Sequence, residues 1–380
     1  MKISITDDLS QVCPKQWNSL QLADNPFVRH EFLSGLEQHQ CLGQERGWLP
    51  CHILIHDKQD QLIAAAPSYL KSHSWGEFVF DWAWADAYER AGEPYYPKLI
   101  IASPFSPVTG PRLLTHPDAD QNALQHQLLA SAIEFAQQQQ LSSVHNLFHL
   151  ESDMPEESAQ HWHNRPGYQF HWHNQNYSDF DDFLSKFSSS KRKNIRKERK
   201  KVTDSHVALQ VLSGQEIQSE HMAIMHQFYS NTCHEKNNMA WLTPEFFEHL
   251  RQTLPQHLVL FLAHKGEQII AGSLCLRNKD QLWGRYWGSS EHVDGLHFET
   301  CYYRPLEYCI AQGIQQFEPG AQGEHKISRG FLPNPTRSSH WIADIRFDDA
   351  IGRHLIHERS HTHDAMRALD ARSPYKQQQP

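Results

Sequence analysis

The chain has 380 residues, of which 39% are hydrophobic and 11% aromatic, and a formal net charge of −9. That length is too great for one small core and predicts two domains, while the acidic balance argues against a general nucleic-acid coat protein. Seven scattered cysteines make no disulfide framework, MKISITDDLS lacks an apolar signal core, and no run approaches the ~18 apolar residues of a membrane span. A soluble cytoplasmic protein is expected.

Residues 3–40 read as a short strand and two helical pieces, broken at Asn25-Pro26. His52 to His56 and Gln61 to Leu70 form a predicted hairpin, with Asp57-Lys58-Gln59-Asp60 as its turn. Glu77 to Trp82 alternates as a further strand would. The aromatic and charged segment from Asp81 to Tyr96 follows, then a buried-strand run from Lys98 to Ala102. Pro104, Pro107, Gly110 and Pro111 fix the backbone of the next loop. Gln121 to Gln140 has the apolar spacing of a helix, and Val144 to Leu150 that of a strand.

The acidic stretch ESDMPEESAQ, from Glu151, marks the expected boundary, giving domains 1–155 and 156–380. Beyond it a strand is predicted over Gly167 to His173 and a helix over Phe180 to Val202, with its basic part at 186–202. Ala208 to Leu212 is a strand and Glu220 to Asn231 a helix. Thr243-Pro244 opens another helix as N-cap and first helical residue. Leu258 to Ala263, Gln268 to Leu276 and Gln281 to Trp287 make a three-stranded meander, turning at Lys265-Gly266 and Asn278-Lys279-Asp280. Phe298, Cys301, Tyr302, Pro305, Leu306, Cys309 and Ile310 then trace the stripe of an amphipathic helix that Gly313 stops. Pro305, lacking an N–H, falls near its first turn or kinks it. The strand Ile314 to Phe317 ends at Pro319-Gly320. A charged, Gly-flanked loop follows with Glu324, His325, Lys326 and Arg329. Both halves run helix, meander, helix, strand, which suggests a duplicated unit in an α/β (α+β) fold of mixed central sheets flanked by helices.

The charged loop at a strand end is the arrangement in which α/β cores present a site. KRKNIRKERKK, Lys191 to Lys201, carries eight bases and one acid, so its +7 leaves −16 for the rest of the chain. Ile195 and Val202 give it one thin apolar stripe. The other face is either merely solvated or recognises phosphate, through residues such as Arg192, Lys193 and Arg196. The 28 histidines raise the question of a metal. His357-Glu358-Arg359-Ser360-His361 fits H-E-x-x-H, and His161, His163, His171 and His173 form two H-x-H pairs. No further ligand motif follows His361, so no metal is expected, and a metallohydrolase is kept as a second alternative. Cys301 and Cys309 read as core. Neither a Walker-A loop nor a G-x-G-x-x-G is present; Gly284, Gly288 and Gly295 before the amphipathic helix could expose backbone N–H groups to an anion.

GEFVFDWAWADAYERAGEPYYPKL, PFSPVTGPRLL and LHFETCYYRPLEYCIAQGIQQFEPGAQGEHKISRGF resemble a bacterial group of N-acyltransferases. That group is similar to the Fem-type peptidoglycan-bridge aminoacyl transferases and lies within the GNAT superfamily. The resemblance spans roughly Phe27 to Glu358 and implies two tandem GNAT-like lobes. It implies an aminoacyl-tRNA or acyl-CoA donor, no permanently bound cofactor, and a nucleotide- or lipid-linked peptide amine as acceptor. The usual GNAT pyrophosphate loop is absent, its place reading GSSEHVDGLHFE, which weighs against acetyl-CoA. Amine acylation needs a base and an oxyanion donor. Glu324 and His325 are the candidate bases and Tyr302 or Tyr303 the general acid. Lys326 and Arg329 are candidate anion binders. Trp82, Asp86 and Tyr88 are expected on the opposite, acceptor wall of a cleft between the lobes. The alternative is a non-catalytic binder of peptidoglycan precursor or RNA.

Overall fold

The computed structural model describes residues 1–20, 23–155, 161–321 and 323–376. It divides into two compact units, 1–167 with 335–364, and 168–334 with 365–380. The expected single cut at 155/156 therefore differs from the observed division. The chain leaves the first unit at Gly167, returns to it at Pro335, and leaves again after Asp364. Part of the acidic stretch, 156–160, lies outside the described residues.

In the first unit, β1 (Lys2–Thr6), α1 (Pro14–Asn18) and α2 (His30–Gln38) precede β2 (Trp48–Pro50), β3 (His52–His56), β4 (Leu62–Ala66) and β5 (Ser68–Lys71). Next come α3 (Trp82–Arg90), β6 (Lys98–Ile101), β7 (Leu114–Thr115), α4 (Gln121–Gln138) and β8 (Ser143–Leu147). β3 pairs antiparallel with β1 and β4, with a register shift at His56 where the predicted hairpin turns. β5 lies antiparallel between β2 and β6, and β6 runs parallel to β8. The core alternates along these strands: Ile53, Ile55, Ala64, Leu99 and Val144 meet Leu128, Leu129 and Ala132 of α4. Glu77 to Trp82 is not the predicted strand. Phe78 has φ +62, in the left-handed region, and the segment is an irregular loop.

β9 (His163–His173) leads into the second unit, where the predicted helix over Phe180 to Val202 is two: α5 (Phe180–Ser185) and α6 (Ser189–Asp204). They part at Phe187, whose backbone bridges to Tyr375 instead. β10 (Val207–Ser213), α7 (Ser219–Glu235) and α8 (Pro244–Thr253) follow, and Thr243 caps α8 by accepting from Phe246 N at 3.2 Å. The predicted meander is β11 (Leu258–Lys265), β12 (Gln268–Arg277) and β13 (Gln281–Ser289), antiparallel throughout. The long helix α9 covers 296–312, and β14 (Gln316–Glu318) runs parallel to β13 for three residues, Gln281 to Trp283. β14 also pairs antiparallel with Trp172 and His173 of β9. α9 lays Tyr302, Tyr303, Leu306, Cys309 and Ile310 into a core with Phe183, Phe187, Phe317 and Phe331. β15 (Leu332–Ile342) pairs its later residues, Ser338 to Ile342, with β8 in the first unit. α10 (Ile345–Asp370) ends the described helices, and among the described residues no helix is long and apolar enough to cross a membrane.

Candidate active site

The site of the second unit is assembled by α9, which is not a plain α-helix. Residues Glu299–Tyr303 form a π turn immediately before Pro305. Proline offers no N–H to the carbonyl four residues back, so the wider turn forms where that bond is missing. This turn places two consecutive tyrosines inward. Tyr302 Oη lies 2.9 Å from His325 Nε2, and Tyr303 donates a short hydrogen bond to Glu198. Both rings are buried, and burial is the first cause that raises their phenol pKa values.

The expected loop from Glu324 to Arg329 is a 3₁₀ segment, closed at Gly330 with φ +93. At Gly323, with φ +112, an added Cβ would sit 2.4 Å from the His325 ring, so only glycine leaves this imidazole its place. His325 is exposed on one side, and its pKa is lowered by burial and then by the Arg329 and Lys326 charges. It is held neutral near pH 7. His297, whose ring centroid is 6.3 Å away, is pushed down to about 4 by burial and by His325.

Lys326 is almost completely buried and donates to Gly320 O at 2.6 Å. Burial brings its pKa down to about 7, against the opposing pull of Glu318. Glu318 in turn accepts from Arg285 at 2.8 Å and lies 3.6 Å from His171. The ammonium therefore sits where the parallel pairing of β13 and β14 ends, above a buried polar network.

The other expected site residues fall differently. Glu324 is exposed and paired with Arg372 at 2.6 Å. Arg329, expected to hold an anionic substrate, is 5% exposed, with both terminal nitrogens already engaged and its Nε buried without a hydrogen-bond partner. Its guanidinium contacts Glu198 at 2.8 Å and His325 O at 2.7 Å and stacks on Phe298 at 3.5 Å. It locks the 3₁₀ segment to α6. On α6 itself, Ile195 and Val202 are buried, and much of the basic face is internally paired. Arg199 meets Glu299 and Glu307, Lys200 meets Asp204, Lys201 meets Asp294, and Arg196 meets Asp181 at 2.8 Å. Arg192 donates to the carbonyls of Ser185 and Phe187, ending α5. Lys193 and Lys197 are left facing solvent. A pocket of about 460 Å³ beside α6 sets Arg196, Arg199 and Lys200 among Asp181, Asp204, Glu299 and Glu307. Its carboxylates outnumber its cations, so it is not built for phosphate.

Trp82 and Asp86 are exposed on α3 in the first unit, whereas Tyr88 is buried and stacks on Phe347 with centroids 3.6 Å apart. His357 and His361 are exposed on α10, and Glu358 is taken up by Arg165 at 2.7 Å. Among the described residues no group of three or more His, Cys, Asp or Glu could hold a metal ion.

A family model described as peptidoglycan biosynthesis/recognition matches residues 8–377. The chain belongs to the FemAB-like family. Solved structures agree in fold. FemX is 11% identical and covers 93% of this chain and 100% of its own, with a TM-score of 0.53. L-PGS from Bacillus licheniformis is 10% identical over 85% and 95%, at 0.50. A conserved protein of unknown function from Bacteroides thetaiotaomicron VPI-5482 is 10% identical over 90% and 100%, at 0.54. No curated protein matches. In this FemAB-like protein, then, the mixed sheets flanked by helices are those the resemblance implied. Sequence reasoning missed Glu198, His297 and the Glu318–Arg285–His171 network. The signal for Glu198 was present: it is the single acid inside the basic run.

Proposed function

We propose that the protein is an N-acyltransferase that moves an acyl or aminoacyl group onto an amine of a peptide- or nucleotide-linked acceptor in peptidoglycan metabolism. The observation that carries this reading is the Tyr302–His325 hydrogen bond beside the buried Lys326. Neutral His325 accepts a proton from the acceptor ammonium, freeing the amine to attack the donor's ester or thioester carbonyl. The new C–N bond forms as the tetrahedral oxyanion develops, and protonated Lys326 supplies the positive charge that stabilises it. Collapse breaks the C–O or C–S bond as His325 returns its proton to the leaving oxygen or sulfur, and the freed imidazole then takes the surplus proton from the new amide nitrogen and passes it to solvent. Tyr302 holds the imidazole ring in place throughout.

Of the two donor classes, aminoacyl-tRNA is favoured over acyl-CoA. A methyl added at Gly295 would lie 3.2 Å from the Glu198 carbonyl and 3.5 Å from Val202, so α6 covers the start of α9. Asp294 is paired with Lys201 at the same place. The helix end at which a GNAT-type pyrophosphate loop would work packs against α6 through Gly295, which narrows the room for a pyrophosphate, while Lys193 and Lys197 on the outer face of α6 offer charge to an RNA backbone. The test is direct. Purified protein is incubated with a mixed pool of radiolabelled aminoacyl-tRNAs, or with labelled acetyl-CoA, together with nucleotide-linked and lipid-linked pentapeptide precursors. Label should move from the tRNA pool to a precursor amine; movement only from acetyl-CoA would reverse the donor assignment, and no movement from either would remove the enzymatic reading.

A further inference from the structure

Residues 74–82 of the first unit, SWGEFVFDW, are folded inside out. Their two charged side chains, Glu77 and Asp81, are buried, whereas Trp75 (58%), Phe78 (40%), Phe80 (54%) and Trp82 (37%) are exposed. A water-facing loop ordinarily does the reverse, because ionised carboxylates lose hydration on burial and aromatic rings gain by it. The inversion is held by specific bonds. Lys98, itself fully buried, donates to Glu77 at 2.8 Å and to Ser74 Oγ at 2.9 Å, and makes a short contact with Asp81. Tyr95 also donates to Asp81, at 2.5 Å. Trp48 Nε1 and Lys71 Nζ both donate to Trp75 O, at 3.2 and 3.1 Å. Phe78 is kept at positive φ, a conformation that side-chain-bearing residues rarely adopt.

The loop is therefore pinned from within by its buried carboxylates, and its outward residues are Trp75, Phe78, Phe80 and Trp82, with Gly76 and Val79 half-buried between them. None of them carries a charge, and the first exposed carboxylate down-chain, Asp86, comes a full helical turn after Trp82. The rings of Trp75 and Trp82 are 5.3 Å apart, which joins these two into one apolar surface.

We propose that this loop docks the protein on a lipid bilayer, inserting its aromatic tip at the headgroup–acyl boundary. Protein and sugar partners are fixed in register by several polar anchors beside the apolar contacts, and this surface presents almost none. A bilayer interface needs no register. It takes a charge-free wedge with tryptophans at headgroup level. The net charge of −9 sets the lipid chemistry further: attraction to an anionic surface is not what drives contact, so a zwitterionic surface is bound through apolar insertion.

The experiment is sedimentation of the full chain with phosphatidylcholine vesicles, plus tryptophan quenching by vesicles with brominated acyl chains. The protein should partition in proportion to lipid, keep doing so at high salt, and be quenched. W75S/F80S should lower partitioning by at least about tenfold, with unchanged circular dichroism. Should that variant fail to fold, W75F/W82F keeps the apolar surface, so partitioning should remain while most of the brominated-lipid quenching is lost. The proposal is overturned by a wild-type protein that stays in the supernatant at millimolar lipid. Partitioning that W75S/F80S leaves unchanged would overturn it too, as would binding confined to phosphatidylglycerol vesicles and abolished by salt.

Discussion

Tyr302 and His325 lie 23 residues apart in sequence and share a 2.9 Å hydrogen bond that ties a π turn of α9 to the 3₁₀ segment after β14. Tyr302→Phe removes that bond alone and keeps the ring in the core. Stability should fall by about 0.5–1.5 kcal/mol, and kcat by about tenfold with KM unchanged, since the imidazole is no longer held for proton transfer. Steady-state kinetics with a denaturant titration checks both. A larger KM effect with constant kcat would make Tyr302 a binding residue.

The two shifted bases predict a narrow pH profile. His325 must be neutral to accept a proton, and its pKa is lowered, so the acid limb of kcat/KM should fall below the ordinary histidine value. Lys326 must be charged to meet the oxyanion, and its pKa is near 7, so activity should decline as pH rises through that value. Lys326→Arg keeps the charge at every accessible pH and should move the alkaline limb upward, whatever its effect on the maximum. The linkage to stability has the opposite sense. Between about 7 and 10.5 the unfolded chain binds the proton that folded Lys326 does not, so stability should rise with pH across that window. Lys326→Met should flatten the slope there, as urea titrations at several pH values would show.

Glu198 connects α6 to both α9 and the 3₁₀ segment through Tyr303 and Arg329. Glu198→Ala would strand the nearly buried Arg329 guanidinium. Because Glu198 is itself 32% exposed at the side chain, the loss should be about 2–3 kcal/mol, below that of a fully buried pair. Chemical denaturation measures it. A loss under about 0.5 kcal/mol would show the pair to be solvent-screened.

Much of this architecture could be read from the chain, and the reasons are local. The stripe Phe298, Tyr302, Leu306, Cys309, Ile310 with Gly313 as stop identifies α9, because helical periodicity and a left-handed cap are both short-range signals. Thr243-Pro244 and the meander turns are legible for the same reason. The failures are tertiary. Phe180 to Val202 carries one helical pattern, yet the pairing of Phe187 with Tyr375 divides it. Glu77 to Trp82 alternates like a strand, yet Lys98 draws both carboxylates inward and makes a loop. In the site, composition pointed to Glu324 and Arg329 beside His325. Only the fold shows that Arg372 and Glu198 engage them, since an ion pair 48 or 131 residues long leaves no mark in spacing.

The basic helix separates into cations with structural partners and cations without. Lys193→Glu with Lys197→Glu should weaken tRNA binding and make the slope of log K against log salt shallower by about 1.4, two contacts at ~0.7 each. The melting temperature should not move. Arg192→Glu should lower stability instead, because Arg192 satisfies the carbonyls of Ser185 and Phe187. Gel-shift titrations across salt, beside thermal melts, distinguish the two; equal affinity in the double variant would leave α6 as a solvated face.

The central claim is that transfer chemistry runs at His325, and its most direct measurement is the single-turnover rate of label transfer from aminoacyl-tRNA to a precursor amine in His325→Ala and wild type. The account predicts a fall of about 10²–10⁴-fold in that rate with a melting temperature lowered by no more than about 2–4 °C, the share owed to the lost Tyr302 hydrogen bond, because the ring is otherwise exposed on one side. Transfer at the wild-type rate by a folded His325→Ala protein would contradict it.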